Sequence, residues 1–274
     1  MMKRFIVHWI ALFSVIWTFI EFAGFFFERD GSPVKPPVWA VLLIGIALAL
    51  WMSRPRLTRT VKLQDKDITL QITVHDVFRV GGGTVIVPSN VLFKHDHLDE
   101  GAVQAQLRNQ FYENPAAFEL VLENALKHEP NEMITLQGNQ VRKYPIGTVT
   151  RLDLKSAKVK GVYVVATAEL NEYGRAIPNR EQFRTALNAL WEYISKRGRK
   201  EHLIIPVIGS GRNRLNVNRY ELIHDIVNTF MLAVESCKFS EKLTIVIHPD
   251  AFMRNRYDLE EMEEYLRYVS KFEV

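Results

Sequence analysis

Two apolar segments near the amino terminus constrain this chain more than any other feature. Residues 5–27 hold only His8 and Glu21 as ionisable groups, and residues 36–52 hold none. As a helix the first segment is roughly 34 Å long at ~1.5 Å per residue, enough to cross a hydrocarbon core of ~30 Å. The second, counting Pro36 and Pro37, stands at the lower limit of about 17 residues for a span. Between them lies Glu28-Arg29-Asp30-Gly31-Ser32-Pro33-Val34-Lys35, a polar turn rich in helix breakers. The pattern predicts a transmembrane hairpin with spans at about 5–27 and 36–52. Trp39 and Trp51 fall near the two ends of the second segment, where aromatic belts form. A cleavable signal peptide is the alternative for the first. Its apolar core would be only ~7–15 residues and would end at small side chains, whereas this one ends at Phe25-Phe26-Phe27.

Basic residues set the orientation. Lys3 and Arg4 precede the first segment, and Arg54, Arg56 and Arg59 follow the second, so both termini are expected in the cytoplasm and the protein in the inner membrane. Glu21 would lie within a span, either snorkelling to the interface or pairing between helices of an oligomer. The formal charge of +4 is too small and too dispersed to argue for nucleic acid. A basic chain with a membrane hairpin fits anionic lipid headgroups instead. The single cysteine, Cys237, excludes an intramolecular disulfide and fits a reducing compartment.

From Val61 onward the periodicity changes. Residues 1–60 read as the hairpin and a short basic linker, and residues 61–274 as one cytoplasmic domain. Thr69–Val74, Thr84–Val87, Gly161–Ala168, His202–Ile208 and Leu243–His248 read as strands. Ala116–Lys127, Arg180–Lys196, Arg219–Glu235 and Asp258–Phe272 read as helices. Strands alternating with helices argue for an α/β layer architecture.

The strongest local signal is Pro206-Val207-Ile208-Gly209-Ser210-Gly211-Arg212. An apolar strand delivers a turn with two glycines, in which backbone N–H groups can converge on phosphate oxygens without Cβ obstruction. Ser210 and Arg212 could add hydrogen bonds, the second charge-assisted. An ordinary tight turn is the plainer alternative. The position of this turn at the carboxyl end of a strand, where α/β folds bind ligands, favours the first.

Five segments in order resemble the macro domain, an ADP-ribose-binding three-layer α/β/α fold with a mixed sheet. His75-Asp76-Val77 is similar to the Gly-Asp-Ile motif. Val85–Asn90 is similar to the strand ending in Asn-Ala-Ala-Asn, and Tyr144-Pro145-Ile146-Gly147-Thr148 to the Cys-Pro-x-Gly segment. Val162–Thr167 resembles the strand that follows, and Val207–Arg212 the diphosphate loop. The resemblance covers roughly residues 65–255. It implies ligand contacts from Asp76 to adenine, from the Val77 amide to the proximal side and from Asn90 to the distal ribose. It further implies Ile208, Gly209, Ser210, Gly211 and Arg212 around the diphosphate, and Phe252 against adenine or in the core.

The sequence departs from the pattern after Asn90. Hydrolytic macro domains carry a glycine-rich loop there, and this chain has only Gly101, which is carried over as that loop's ligand contact. Gly81-Gly82-Gly83 precedes the strand and is expected to make a turn. The departure counts against hydrolysis, so no catalytic residue is assigned. Asp96, Asp99 and Glu100 read as a solvated acidic loop, with contact to a ligand's amino group as the alternative. His95 and His97 have no matching cluster to complete a metal site. No metal and no cofactor is expected.

A membrane hairpin with such a domain resembles the membrane-bound effector of type II Thoeris antiphage systems. The resemblance implies that a TIR-domain enzyme makes an ADP-ribose-type signal, a histidine conjugate in this class. Its binding would drive homo-oligomeric assembly, membrane disruption and death of the infected cell. The alternatives are a membrane-anchored hydrolase and a reader of ADP-ribosylated substrates.

Overall fold

The computed structural model describes residues 2–26, 28–29, 32–33, 37–52, 56–63, 67–94, 100–177, 179–208, 218–255 and 257–271. The chain divides into two compact units, Met1–Arg56 and Leu57–Val274.

In the first unit, helix α1 (Met2–Phe26) leads through a two-strand ribbon, β1 (Glu28–Arg29) and β2 (Ser32–Pro33), into helix α2 (Val38–Met52). The ribbon pairs Glu28 with Pro33 and Arg29 with Ser32, so the breaker-rich stretch does reverse the chain. Along α1, Trp9, Phe13 and Trp17 recur at four-residue spacing and stack at 6.0 Å between successive ring centroids. Ser14 and Thr18 donate their hydroxyls back to the carbonyls of Ile10 and Ser14, which satisfies them inside an apolar helix. On α2, Val41 and Ala49 are buried while Trp39, Leu43, Leu50 and Trp51 are exposed. Among the described residues no helix is long and apolar enough to cross a membrane.

The second unit is built on an eight-stranded sheet. Its strands are β3 (Thr58–Lys62), β4 (Thr69–Val74), β5 (Gly83–Asn90), β8 (Val149–Asp153), β9 (Val159–Leu170), β10 (Ala176–Ile177), β11 (Leu203–Pro206) and β12 (Lys242–Ile247). The order is β10-β9-β5-β11-β12-β4-β3, with β8 also on β9. The neighbours from β9 to β4 are parallel; β3, β8 and β10 are antiparallel. A separate hairpin, β6 (Glu132–Leu136) and β7 (Asn139–Lys143), turns on Gln137 and Gly138, both at positive φ. Thr58–Thr60, placed in the linker by sequence, are the first residues of β3. Arg59, expected to act as a topology determinant, pairs with Glu263 at 2.8 Å.

Alternation along the strands sorts two cores. Ile86, Tyr163 and Val165 face helices α5 (Arg180–Arg197), α6 (Arg219–Ser236) and α8 (Leu259–Lys271). Val85, Val87, Val162 and Val164 face α3 (Val103–Phe111) and α4 (Pro115–Leu126). A short α7 (Pro249–Asn255) follows β12. Trp191, fully buried, anchors the first core: its indole N–H donates to Thr229 Oγ1 at 3.0 Å, and its ring meets Phe230 edge-on. Asn114, Asn179 and Asn218 cap α4, α5 and α6, each accepting a backbone N–H from the first turn. Arg180 at the start of α5 reaches the buried Asp225 of α6 at 2.7 Å, with Glu221 beside it.

At the amino ends of the strands Gly81 and Gly82 turn at φ of +77° and +75°, as the sequence predicts. Gly83 then passes so close to the next connection that a Cβ would lie 2.4 Å from the carbonyl oxygen of His202. Backbone cannot yield there. Gly83→Ala is expected to cost roughly 1–3 kcal/mol, seen as a lower urea midpoint at unchanged slope. An unchanged midpoint would show that this approach is loose.

His202 itself is mostly buried and shares a hydrogen bond of 2.8 Å between its Nε2 and Thr244 Oγ1. Burial first, then the fields of Lys242 and Lys160, push its imidazole down to about 4. Between that value and the ordinary 6.5 the unfolded chain binds the extra proton. The stability contributed by neutral His202 is therefore full above about pH 6.5 and is lost as pH falls toward 4. Discounted for partial exposure, the loss is on the order of 1–2 kcal/mol. His202→Gln is expected to flatten the stability profile across this window in chemical denaturation.

Candidate functional site

Four neighbouring parallel strands end on the same side of the sheet, and each delivers a predicted site segment. β4 runs into His75-Asp76-Val77, β5 ends at Asn90, β11 runs into Val207-Ile208, and β12 into His248 and α7 with Phe252. Hydrogen bonds beyond the strands hold these ends in register. His75 donates its backbone N–H to Ile247 O at 3.0 Å, and Val207 to Val246 O at 3.1 Å.

Asp76 stands where β4 turns. Its Oδ1 accepts the N–H of Phe78 at 2.9 Å, and its Oδ2 lies 3.5 Å from Arg79 Nε. One oxygen therefore shapes the turn, while the carboxylate keeps about a quarter of its surface open to solvent. Val77 is buried with Phe78 in the second core, where Phe78 meets Phe111 edge-on. Ile208 is buried in the first core at the end of the segment that follows β11. Gly209, Ser210, Gly211 and Arg212 lie outside the described residues, as do His95, Asp96, His97 and Asp99.

Asn90 is occupied locally. Its Oδ1 accepts from Leu92 N at 3.0 Å, and its Nδ2 donates to Lys94 O at 2.8 Å. The carboxamide assigned to a ribose by resemblance thus builds the loop that follows β5, a loop in which Phe93 takes φ +52°. Gly101 stands in an exposed turn ahead of α3, its carbonyl taken by Gln106 Nε2 at 3.0 Å. Phe252 is half-buried against the first core, its ring nearly parallel to that of Tyr257 at 6.4 Å.

Residues that sequence reasoning did not single out support these loops. Gln104 is buried and bridges them: its Oε1 accepts from Ser89 Oγ at 3.0 Å and its Nε2 donates to Phe93 O at 3.1 Å. Nothing local set Gln104 apart, since α3 also carries Gln106 and Gln110. Tyr144 donates its backbone N–H to Val91 O, and its ring meets Phe93 edge-on. Gly147 sits at φ +85°, and a Cβ there would meet Ala189 at 2.7 Å, so the 145–148 loop lies directly on α5. Packed with Phe252, Tyr257 is buried with no partner for its hydroxyl among the described residues, and burial pushes that phenol up to about 12. Arg219 stands over its ring at 5.9 Å, and the hydroxyl of the neighbouring Tyr220 accepts Asp258 N–H at 2.7 Å. Among the described residues no cluster of three or more His, Cys, Asp or Glu side chains is placed to hold a metal.

The family model described as the macro domain of the Thoeris protein ThsA matches residues 70–248, which takes in all four strand ends. The chain belongs to the Thoeris ThsA macro-domain family. The fold agrees. A mutant of the Oceanobacillus iheyensis macrodomain superposes with a TM-score of 0.50 at 13% identity, over 77% of this chain and 100% of that one. The same macrodomain in a structure with ADP gives 0.50 and 13%, over 76% and 97%. At that identity the likeness is one of fold. No curated protein matches the chain.

Gln104→Leu removes both bonds of the bridge and leaves the buried Phe93 carbonyl and Ser89 hydroxyl without these partners. A loss of roughly 1–3 kcal/mol in denaturant stability is expected, with faster hydrogen exchange at Leu92 and Phe93. Exchange as slow as in the parent would remove Gln104 from the support of the loop.

Proposed function

We propose that this member of the Thoeris ThsA macro-domain family is a membrane effector of bacterial antiphage defence. Its macro domain senses an ADP-ribose-type nucleotide made by a TIR-domain protein, with histidine–ADP-ribose as the ligand. Binding drives homo-oligomeric assembly and disruption of the inner membrane, leading to abortive infection. The observation that carries this reading is the family match across four adjacent strand ends, each bearing a predicted site segment.

The chemistry supports sensing over turnover. The loop after Asn90 lacks the glycine run, and the Asn90 carboxamide is spent on Leu92 and Lys94. Asp76 keeps an oxygen toward solvent, suited to accept from an exocyclic amine. Phe252 offers a half-buried ring for stacking, and the Gly209–Arg212 segment supplies the phosphate-binding chemistry. For the membrane role the support is chemical. Residues 36–52 carry no ionisable group, and the hairpin leaves Phe19, Phe22, Trp39 and Trp51 exposed. Exposed apolar surface of that kind needs a partner or a lipid phase. A ligand can drive assembly only by binding the assembled state better than the free one.

Calorimetric titration of the full chain in detergent with ADP-ribose and histidine–ADP-ribose tests the sensor. Tight, selective binding of the conjugate without turnover is expected; steady hydrolysis would favour the anchored hydrolase. Asp76→Ala is expected to weaken binding at least about tenfold, the loss of a charged hydrogen bond. Asp76→Asn, which keeps the acceptor for Phe78, separates the ligand contact from the turn. Deleting residues 1–52 leaves β3 whole and should abolish killing on infection; retained toxicity would end the membrane mechanism.

A further inference from the structure

The sheet face that carries α3 and α4 is not covered evenly. Over β5 and β9 it is valine packed on helices, but toward β4 and β12 the same face turns polar. A cavity of about 450 Å³ opens there, lined by Gln71, Thr73 and His75 of the β4 segment, the Gly81-Gly82 turn, His202 and Lys242. Gln71 and Thr73 project from alternate positions of one strand, and His202 and Lys242 stand at the starts of β11 and β12. The cavity therefore runs along this face from the amino ends of β11 and β12 to the carboxyl end of β4, and none of its lining residues lies in the loops after β5 and β11.

Its chemistry is one-sided. None of the lining side chains is acidic. No carboxylate among the described residues pairs with Lys242. Thr244, fully buried between two of the lining residues, donates its hydroxyl to Gln71 Oε1 at 3.0 Å and shares a hydrogen bond of 2.8 Å with His202 Nε2. With the Gln71 carboxamide oxygen on Thr244, its NH₂ group is the donor available to the cavity. Gly82 meets nothing within 4 Å where a side chain would stand, so the mouth stays open.

We propose that this cavity is a second anion site, in which Lys242 and the Gln71 amide bind a phosphate group, either free or carried by a mononucleotide. A cation without a carboxylate partner, an oriented amide donor and an acid-free wall are the elements of phosphate recognition by side chains. Burial is the main cause that lowers the His202 pKa, and the fields of Lys242 and Lys160 add to it in the same direction. The cavity shares His75 with the β4 segment of the sensor reading, but its proposed anion ligands, Lys242 and Gln71, lie outside the Asp76, Asn90 and Gly209–Arg212 segments.

The test uses the full chain in detergent, labelled with ring-¹⁵N histidine, titrated with inorganic phosphate and with AMP against matched potassium chloride. The His202 signal is assigned by its loss in His202→Gln. A saturable movement of that signal is expected, weakened at least about tenfold in Lys242→Gln. Tighter binding of AMP than of phosphate assigns the anion to a nucleotide; equal binding assigns it to the free ion. A His202 signal that stays put with both probes overturns the site, as does an undiminished affinity in Lys242→Gln. Repeating the titration in Asp76→Ala separates the two readings. The movement should persist there, and its loss would assign the anion to the strand-end loops instead.

Discussion

The central strands β5, β9 and β11 are dry on both faces, and most of the second unit follows from that. A strand buried on both sides can satisfy its backbone only through its neighbours and can place apolar side chains at every position. Val85, Ile86 and Val87 show the pattern, as do Val162 through Val165. Polar chemistry is thereby driven to the strand ends and to the flank of the sheet where the helical cover stops. The loops after β4, β5, β11 and β12 gather at one end because their strands are parallel, not because the segments attract one another.

The opposite end of the sheet is closed by a charged knot. Arg151 of β8 makes a bidentate contact with Glu201, through Nη1 to Oε2 at 3.1 Å and Nη2 to Oε1 at 3.2 Å, and donates to Tyr163 OH. Thr84 at the start of β5 donates to the same carboxylate. Burial opposes the guanidinium's charge, but the bonds to Glu201 and Asp153 outweigh it and hold the group above its ordinary range. Glu201 is correspondingly held below the usual carboxylate range against the pull of burial, by Arg151 and Thr84. Such a pair fixes geometry more than it adds stability, because desolvation offsets much of its attraction. It ties β5, β8, β9 and the approach to β11 at one end, while the other end keeps its loops for ligand.

Much of this was legible from residue order. Thr69–Val74 is a strand at the predicted bounds, and α4, α5, α6 and α8 fall within a residue or two of expectation, since their apolar stripes are local signals. β3 was hidden because Thr58-Arg59-Thr60 has one buried face only at Val61 and looks like a basic linker. The β6–β7 hairpin and β8 escaped for a related reason. They are only five residues long each, and in β6 and β7 most side chains are exposed, so no long apolar alternation marks them. At the site, sequence placed Asp76, Asn90, Ile208 and Phe252 on neighbouring strand ends. It could not say that Asn90's carboxamide would be consumed by Leu92 and Lys94, or that Gln104 would brace the loop from α3.

The sequence by itself determined the division into an apolar hairpin and an α/β domain, the identity of the motif-bearing loops and their order. Composition, period and glycine placement are properties of neighbouring residues, and neighbours are what a sequence records. Tertiary structure decided which polar atoms remain free. Asn90 closes its own turn, the Gln71 oxygen is taken by Thr244, and Tyr257 is buried with no partner for its hydroxyl among the described residues. Each outcome depends on a hydrogen-bond partner or packing neighbour supplied by the folded backbone, and the energy of a buried polar group depends on that partner more than on its own identity.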